Sequence, residues 1–309
     1  MSASIITPTK LTDAMLVSST VPESDFAVWA FGTFAVGTKR IMTTGIHKIY
    51  ECLVAHTSTD ATGAPNLNLT GATPKWLDLG PTNRWNMFDD KIGTITRQES
   101  PLTVVLHPGP IGGLALLELE GFEATVTVKD LTGDTEVYNR VISLDGTVIT
   151  SFFDWFFEEF QQRTDITLTD LPSQFFSSEL TVSITSPAGS VSCGVCHVGK
   201  VSQLGTTQRG ATIGIISYSV KQVDAFGNLT ILKRGNSKRA SLQLLINKSQ
   251  YNRVYRLLAS MDSVLCIYSA TSEEGYEPLI VYGVWRDFNI DVTYPFDFIT
   301  SLEIEGLAQ

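Results

Sequence analysis

Short alternating segments bounded by turn residues constrain the fold of this sequence more than any other feature. Successive side chains of a β-strand point to opposite faces, so alternation of apolar and polar residues predicts a strand with one buried face. Segments that alternate in this way, or that run apolar over a strand's length, are "PLTVVLHPG", "GLALLELEGFEATVTVKD", "DTEVYNRVISL" and "SELTVSITSP". Turn sequences such as "KDLTGD" and "SPAGS" separate them. These patterns predict a mainly β fold that closes as a sandwich or jelly roll.

The length of the chain indicates more than one domain. It has 309 residues, of which 43% are hydrophobic and 17% charged, and it exceeds the usual size of one domain. We expect three domains. Residues 1–93 would form an N-terminal arm and a small β-module, residues 94–206 a jelly-roll-like β-sandwich, and residues 207–309 an α+β domain with one main helix.

Two segments have the spacing of a helix. "SKRASLQLLINKSQYNRVYRLLASMD" predicts the main helix of the last domain, with a break near Asn247. Its apolar positions are Leu242, Leu245, Ile246, Tyr251, Val254, Tyr255 and Leu258. "SFFDWFFEEF" predicts a short amphipathic helix or an aromatic plug that caps the sandwich core, and its acidic polar face argues against a membrane anchor. The aromatic face consists of Phe152, Phe153, Phe156, Phe157 and Phe160.

The charge balance excludes one class of partner. The formal net charge is -10, whereas nucleic-acid binding depends on clustered Lys and Arg opposite phosphates, so we expect no nucleic-acid partner. The basic cluster "LKRGNSKR", residues 232–239, is interpreted as a solvated turn between a strand and the main helix. The N-terminus lacks a leader pattern, and no apolar run reaches the ~20 residues of a membrane helix. We therefore expect synthesis in a cytoplasm, no membrane insertion, and reduced cysteines.

The segment "SVSCGVCHVGK", residues 190–200, matches parts of two functional motifs. Cys193-x-x-Cys196-His197 has the spacing of a haem attachment site, and "GVCHVGK" has most of a phosphate-binding loop. Val201 stands where that loop needs Ser or Thr, and on one strand Cys193 and Cys196 would point to opposite faces. We interpret the segment as half of a β-hairpin. We expect no metal, no cofactor and, because no catalytic constellation occurs, no enzymatic activity.

Aromatic and turn residues dominate residues 26–90. "VWAFGTFAVGTKRIM", "HKIYECLVAHTSTDATGAP" and "PKWLDLGPTNRWNMFDD" resemble the small chitin-binding-type carbohydrate modules of glycosidases. The matching positions are Trp29, Thr33, Phe34, Gly37, Tyr50, Pro65 and Trp76. The resemblance implies that Trp29, Tyr50 and Trp76 stack on sugar rings. The residues themselves leave open the alternative that these three rings form the core of a small module.

The segment "LGPTNRWNMFDD", residues 79–90, also has two interpretations. In the first, Gly-Pro-Thr-Asn makes a turn, Arg84 and Asp89 pair across it, and Trp85 and Phe88 fill the junction to the next domain. In the second, Asn83, Arg84 and Asp89 are polar contacts to a glycan beside the stacking tryptophan.

Together with "YECLVAHTS", "YSVKQVDAFGNLTILKRGNSKR" and "LEIEGL", this segment resembles a family of tail proteins of tailed bacteriophages. The resemblance covers nearly the whole chain, and "GPTNRWNMFD" is its most specific element. It implies a virion structural protein of the distal tail, baseplate or fibre region, located in the virion tail. The implied partners are other tail proteins, further copies of the chain in a symmetric assembly, and host surface glycan. Two alternatives stay open, namely a purely architectural tail adaptor and a polysaccharide-degrading enzyme.

Overall fold

The computed structural model describes residues 2–147, 149–159, 161–223, 226–271, 275–292 and 296–308, with the side chain of Asp154 outside the description. The prediction of a mainly β fold is confirmed. In chain order the strands are β1 (Ser2–Pro8), β2 (Leu16–Ser19), β3 (Gly32–Phe34), β4 (Lys39–Met42), β5 (Lys48–Cys52), β6 (His56–Ser58), β7 (Trp76–Pro81), β8 (Thr96–Glu99), β9 (Leu102–Leu106), β10 (Gly113–Leu117), β11 (Glu123–Asp130), β12 (Thr135–Ser143), β13 (Ile166–Leu168), β14 (Ser178–Thr185), β15 (Ser190–Cys193), β16 (Val195–Thr207), β17 (Thr212–Ser217), β18 (Val220–Val223), β19 (Leu229–Leu232), β20 (Asn236–Asn247), β21 (Cys266–Ser269), β22 (Ile280–Asp291) and β23 (Asp297–Ala308). The α-helices of the described residues are α1 (Phe152–Phe157) and α2 (Tyr251–Ser260), and short 3-10 turns lie at Ala61–Gly63, Pro65–Leu67, Asn86–Phe88 and Glu277–Leu279.

An antiparallel barrel forms the C-terminal part of the fold. Strands β16, β1, β21, β22, β23 and β20 are hydrogen-bonded in that order, and β20 pairs back onto β16 through Leu245 opposite Thr206. Closure of the ring leaves these strands without a free edge over the paired residues. Alternate side chains fill the barrel, and Val254 and Leu258 of α2 belong to the same apolar core.

A β-sandwich adjoins the barrel, as the sequence predicted. Its first sheet has the order β12-β11-β14-β9-β2, and its second layer consists of β13, β10 and the first residues of β16, with the β8–β15 pair beside them. Side chains of both layers form one core, among them Val104, Val126 and Val182 from the first and Leu114 and Val198 from the second. The strand β16 therefore belongs to the sandwich at its start and to the barrel at its end.

The N-terminal module consists of two small antiparallel sheets. One is the pair β3–β6 and the other has the order β4-β5-β7. Their shared core contains Phe34, Tyr50, Cys52 and Trp76.

The predicted limits of the three domains, 93/94 and 206/207, stay predictions. Hydrogen bonds cross the first of them, because β1 pairs with β16 and β21, and β2 pairs with β9.

The predicted main helix is shorter than the helical pattern indicated. Residues 236–247 form strand β20, and the helix occupies only 251–260. Ala240, Leu242, Leu244 and Ile246 are buried inside the barrel while Gln243 is exposed. Every second side chain is therefore buried here, as in a strand. Over so few residues, the apolar positions of a strand and of a helix partly coincide, so the sequence fits both patterns. The basic cluster at 232–239 consequently runs from the last residue of β19 into the first residues of β20, and the prediction that it precedes a helix is wrong.

Candidate functional site

Two of the three aromatic residues of the predicted sugar-binding face lie in the core of the module. Tyr50 and Trp76 are each 1% exposed. The ring of Trp76 contacts that of Phe34 edge to face at 5.0 Å between centroids. Neither Tyr50 nor Trp76 presents a face on which a sugar could stack, so the sequence-based alternative of a packing role fits both.

Trp29 lies nearer the surface. It is partly buried against the same core, and its ring meets Phe31 edge to face at 5.5 Å. Phe31, Val28 and Phe26 are exposed beside it. An apolar edge of the module therefore reaches solvent, and three of its four residues were not among the predicted site residues. The uninterrupted apolar run in "DFAVWAFG" was the sequence signal available for them.

Asn83 and Arg84 are engaged inside the protein. The side-chain amide of Asn83 donates to the carbonyl of Arg97 at 2.8 Å and accepts from the Arg97 N–H at 3.0 Å. The guanidinium of Arg84 donates to the carbonyl of Val21 at 2.7 Å. The predicted pairing of Arg84 with Asp89 is wrong. The guanidinium is instead held by the carbonyl of Val21, and its acidic neighbour is Glu23, whose carboxylate oxygen lies 3.9 Å from a guanidinium nitrogen.

The residues that follow fill the junction between the module and the sandwich. Met87 is buried in the sandwich core and Phe88 packs against that core. Phe88 also meets Trp85 edge to face at 5.7 Å. The junction role predicted for Trp85 and Phe88 therefore fits their contacts, and the buried Met87 strengthens it.

Asp89 lies at the wall of a cleft. One carboxylate oxygen accepts hydrogen bonds from the Thr94 hydroxyl at 2.8 Å and from the Lys91 N–H at 3.1 Å. The other oxygen is buried and has no hydrogen-bond partner among the described residues. Burial raises the pKa of Asp89, because the desolvated carboxylate is disfavoured.

The cleft consists of two adjoining cavities of about 410 and about 780 Å³. Both are lined by Lys10, Leu11, Phe88, Asp89 and Asp90. The larger also touches the N-terminal module. The smaller reaches into the body of the protein, where residues of β16, β22 and the segment after α2 complete its wall.

His197 and Tyr282 form the inner wall of the smaller cavity. His197 is 8% exposed and Tyr282 4%, and their rings meet at 5.6 Å between centroids. The Nε2–H of His197 donates to the carbonyl of Ile6 at 3.2 Å. Burial lowers the pKa of His197 to about 4, so the ring is neutral near pH 7. Burial and the neighbouring carboxylates of Asp90 and Asp89 raise the pKa of Tyr282.

The segment "SVSCGVCHVGK" departs from the predicted hairpin strand at Gly194. That residue separates β15 from β16, and both Cys193 and Cys196 pack in the sandwich core instead of on opposite faces. Burial raises the pKa of Cys196 to about 12 and that of Cys193 as well. Thiols that stay protonated are poor metal ligands. Within the described ranges, no cluster of three or more His, Cys, Asp or Glu residues could hold a metal ion.

Helix α1 presents its aromatic residues to solvent. Phe152, Phe153, Trp155, Phe156 and Phe157 are each at least 68% exposed. The predicted short helix is present, but the predicted plug of the sandwich core is wrong. The chain enters and leaves this segment at the surface, where Asp145 bridges to Gln162. Phe160, which the pattern assigned to the same face, lies outside the described residues.

A second apolar surface lies on a β-arm, which we define as residues 212–223 and 226–236. It begins where β17 pairs with β20 and continues as the pair β18–β19. In that pair Val223 lies opposite Leu229, and Lys221 opposite Ile231, so these four side chains share one face. All four are exposed.

No protein-family model matches this sequence, and no curated protein matches it. Neither α1 nor α2, nor any other helical segment in the described part of the chain, has the length and hydropathy of a membrane span.

Proposed function

We propose that this chain is a structural subunit of a bacteriophage tail, in the distal tail, baseplate or fibre region, and that it assembles with other tail proteins and with copies of itself. The sequence resemblance supports the tail location. The exposed aromatic surface of α1 is the observation that carries the role as an assembling subunit. A tail protein without enzymatic activity could contact host glycan or be a purely architectural adaptor. The burial of Tyr50 and Trp76 favours the architectural role.

The size of the α1 surface fits a protein interface. Five aromatic side chains at this exposure present on the order of 700 Å² of mostly apolar surface, near the ~800 Å² that each partner contributes to a standard interface. Monomeric proteins seldom expose so large an apolar patch. Phe153 and Phe157 contact each other at 4.6 Å between centroids, so the patch is continuous there.

The β-arm offers a matching surface on a second copy. Two exposed acids, Glu158 and Glu159, follow α1. The arm carries three cations: Lys221 lies on its apolar face, and Lys233 and Arg234 follow β19. Within the described residues none of these three cations forms an ion pair. Opposite charges around two apolar surfaces favour contact between α1 of one copy and the arm of the next. Because such a contact joins two different surfaces, it generates a ring or a filament.

Contact with host surface glycan is the second candidate function. The observation that favours it is the exposed edge of the N-terminal module, where Phe26 and Phe31 reach solvent beside Trp29. Flat rings at a surface can stack on the apolar faces of sugars.

The tail assignment is tested on particles. We expect peptides of this chain in purified virus particles from cells that carry its gene, and immunogold particles at the tail tip. The glycan candidate is tested on the same particles with a Phe31→Ala variant, which should adsorb less well to host cells. Particles that lack the chain would contradict the proposal.

A further inference from the structure

The smaller cavity of the cleft contains polar groups that the protein itself does not satisfy. The buried oxygen of Asp89 has no partner in the described part of the chain. Nδ1 of His197, whose Nε2–H donates to Ile6, and the hydroxyl of Tyr282 also have no hydrogen bond among the described residues, but unlike the Asp89 oxygen these two atoms keep some accessible surface. His197 and Tyr282 are more than nine-tenths buried, and all three line one cavity of about 410 Å³. A ligand in the cavity could satisfy polar groups that have no partner within the protein, so their position along one cavity indicates a binding site.

These groups are mainly hydrogen-bond acceptors. A neutral imidazole that donates through Nε2 accepts at Nδ1, an ionised carboxylate only accepts, and a phenol can do both. A fitting ligand must therefore be rich in donors. Asp89 adds a negative charge inside the cavity, and Asp90 adds another at its exposed mouth, where Lys10 also lies. Burial disfavours the Asp89 carboxylate more than its hydrogen bonds and the charge of Lys91 stabilise it, and a bound cation would offset that cost.

We infer that the cleft binds a guanidinium or primary ammonium group between Asp89, His197 and Tyr282. Such a group supplies several N–H donors and a positive charge, while Phe88 and Leu11 contact the apolar part of the ligand. The group comes either from a free polyamine or from a basic side chain of a neighbouring protein. This inference does not depend on the proposed function, because it rests on the walls of the cavity alone.

The test is ligand-detected saturation-transfer NMR on the full-length protein with methylguanidinium and methylurea. The two probes have nearly the same shape, and only the first is charged. We expect a signal from methylguanidinium and little from methylurea. Asp89→Asn keeps the shape of the side chain and should raise the Kd of methylguanidinium about tenfold or more, since the neutral amide removes the charged acceptor. Tyr282→Phe should raise it by a smaller factor.

Asp134→Asn is the matched control, because Asp134 is an exposed acid at the turn between β11 and β12. It should bind like the unmodified protein, and the melting temperatures of all variants should show that they are folded. Competition by spermidine tests the free polyamine, and competition by acetyl-Gly-Arg-Gly-amide tests the side chain of a neighbour. Equal signals from methylurea, equal binding by Asp89→Asn, or no signal at all would overturn the inference and leave a cleft that holds water only.

Discussion

The ring of His47 stacks on the ring of Trp85, with 4.2 Å between their centroids and 22° between their planes. Each imidazole nitrogen also meets a carboxylate, Nδ1 that of Glu23 at 2.9 Å and Nε2 that of Asp13. The backbone of His47 has φ 52°, which is uncommon for a residue with a side chain. These contacts join the N-terminal module to the chain that enters it and to the junction segment.

Replacement of His47 should loosen this junction. We expect His47→Ala to lower the free energy of unfolding by about 2–3 kcal/mol, because an aromatic contact and the contacts of the ring nitrogens with two carboxylates are lost. Urea unfolding followed by tryptophan fluorescence measures the change. His107→Ala is the control, since His107 pairs with Glu179 at 3.2 Å on the surface and should cost about 0–1 kcal/mol. Equal effects of the two variants would contradict the junction role.

Trp76 should behave as a packing residue. We expect Trp76→Ala to cost about 3–5 kcal/mol, as is usual when a buried aromatic side chain is truncated. Phe31→Ala, at the exposed edge of the same module, should cost less than about 0.5 kcal/mol. Thermal unfolding distinguishes them. A Trp76→Ala protein with unchanged stability would instead favour the sugar-stacking role.

Acid should weaken the fold through His197. Burial lowers its folded-state pKa to about 4, whereas an unfolded histidine titrates near 6.5. The unfolded state therefore binds the proton first, and the stability contributed by the neutral ring is present above about pH 6.5 and lost as the pH falls towards 4. The loss is on the order of 3 kcal/mol.

His197→Gln provides the comparison, because it retains an N–H donor for Ile6 and does not titrate. We expect urea unfolding at pH 7 and pH 4.5 to show a larger loss for the unmodified protein than for this variant. Carboxylates titrate alike in both proteins and cancel in the difference. Parallel pH profiles would mean that folding leaves the pKa of His197 unchanged and would contradict its burial as a neutral ring.

Gly199 is required where β16 passes β1. A Cβ atom at this position would overlap the carbonyl oxygen of Thr7, which is backbone and cannot turn away. We expect Gly199→Ala to cost at least about 2 kcal/mol, in the range of overpacked sites. Gly214, in the outlying strand β17, has open space around its Cα, and Gly214→Ala is the matched control. Equal melting temperatures for the two variants would contradict this account of the barrel.

The strands could be predicted from sequence because alternation is a local property. Where two periods coincide, as at Leu242 and Ile246, local information was insufficient, and only closure of the barrel decides that these side chains line a strand. The position of α1 could not be predicted either, since an aromatic face has the same pattern whether it packs inward or meets another molecule. The cleft was beyond prediction for a further reason. Asp89, His197 and Tyr282 are far apart in the chain. Pairing between β16, β1, β21 and β22 brings His197 and Tyr282 together, and Asp89, after the 3-10 turn at Asn86–Phe88, lines the same cavity.

Sedimentation velocity of the full-length protein over a range of concentrations tests the central claim, assembly through α1 and the β-arm. The account predicts that the unmodified protein forms oligomers that grow with concentration. The double variant Phe153→Ser, Phe156→Ser and the single variant Ile231→Asp should each stay monomeric. Phe176→Ser should assemble normally, because Phe176 is 82% exposed but lies outside both surfaces. A chain that stays monomeric at every concentration, or an α1 variant that assembles as well as the control, would contradict the account.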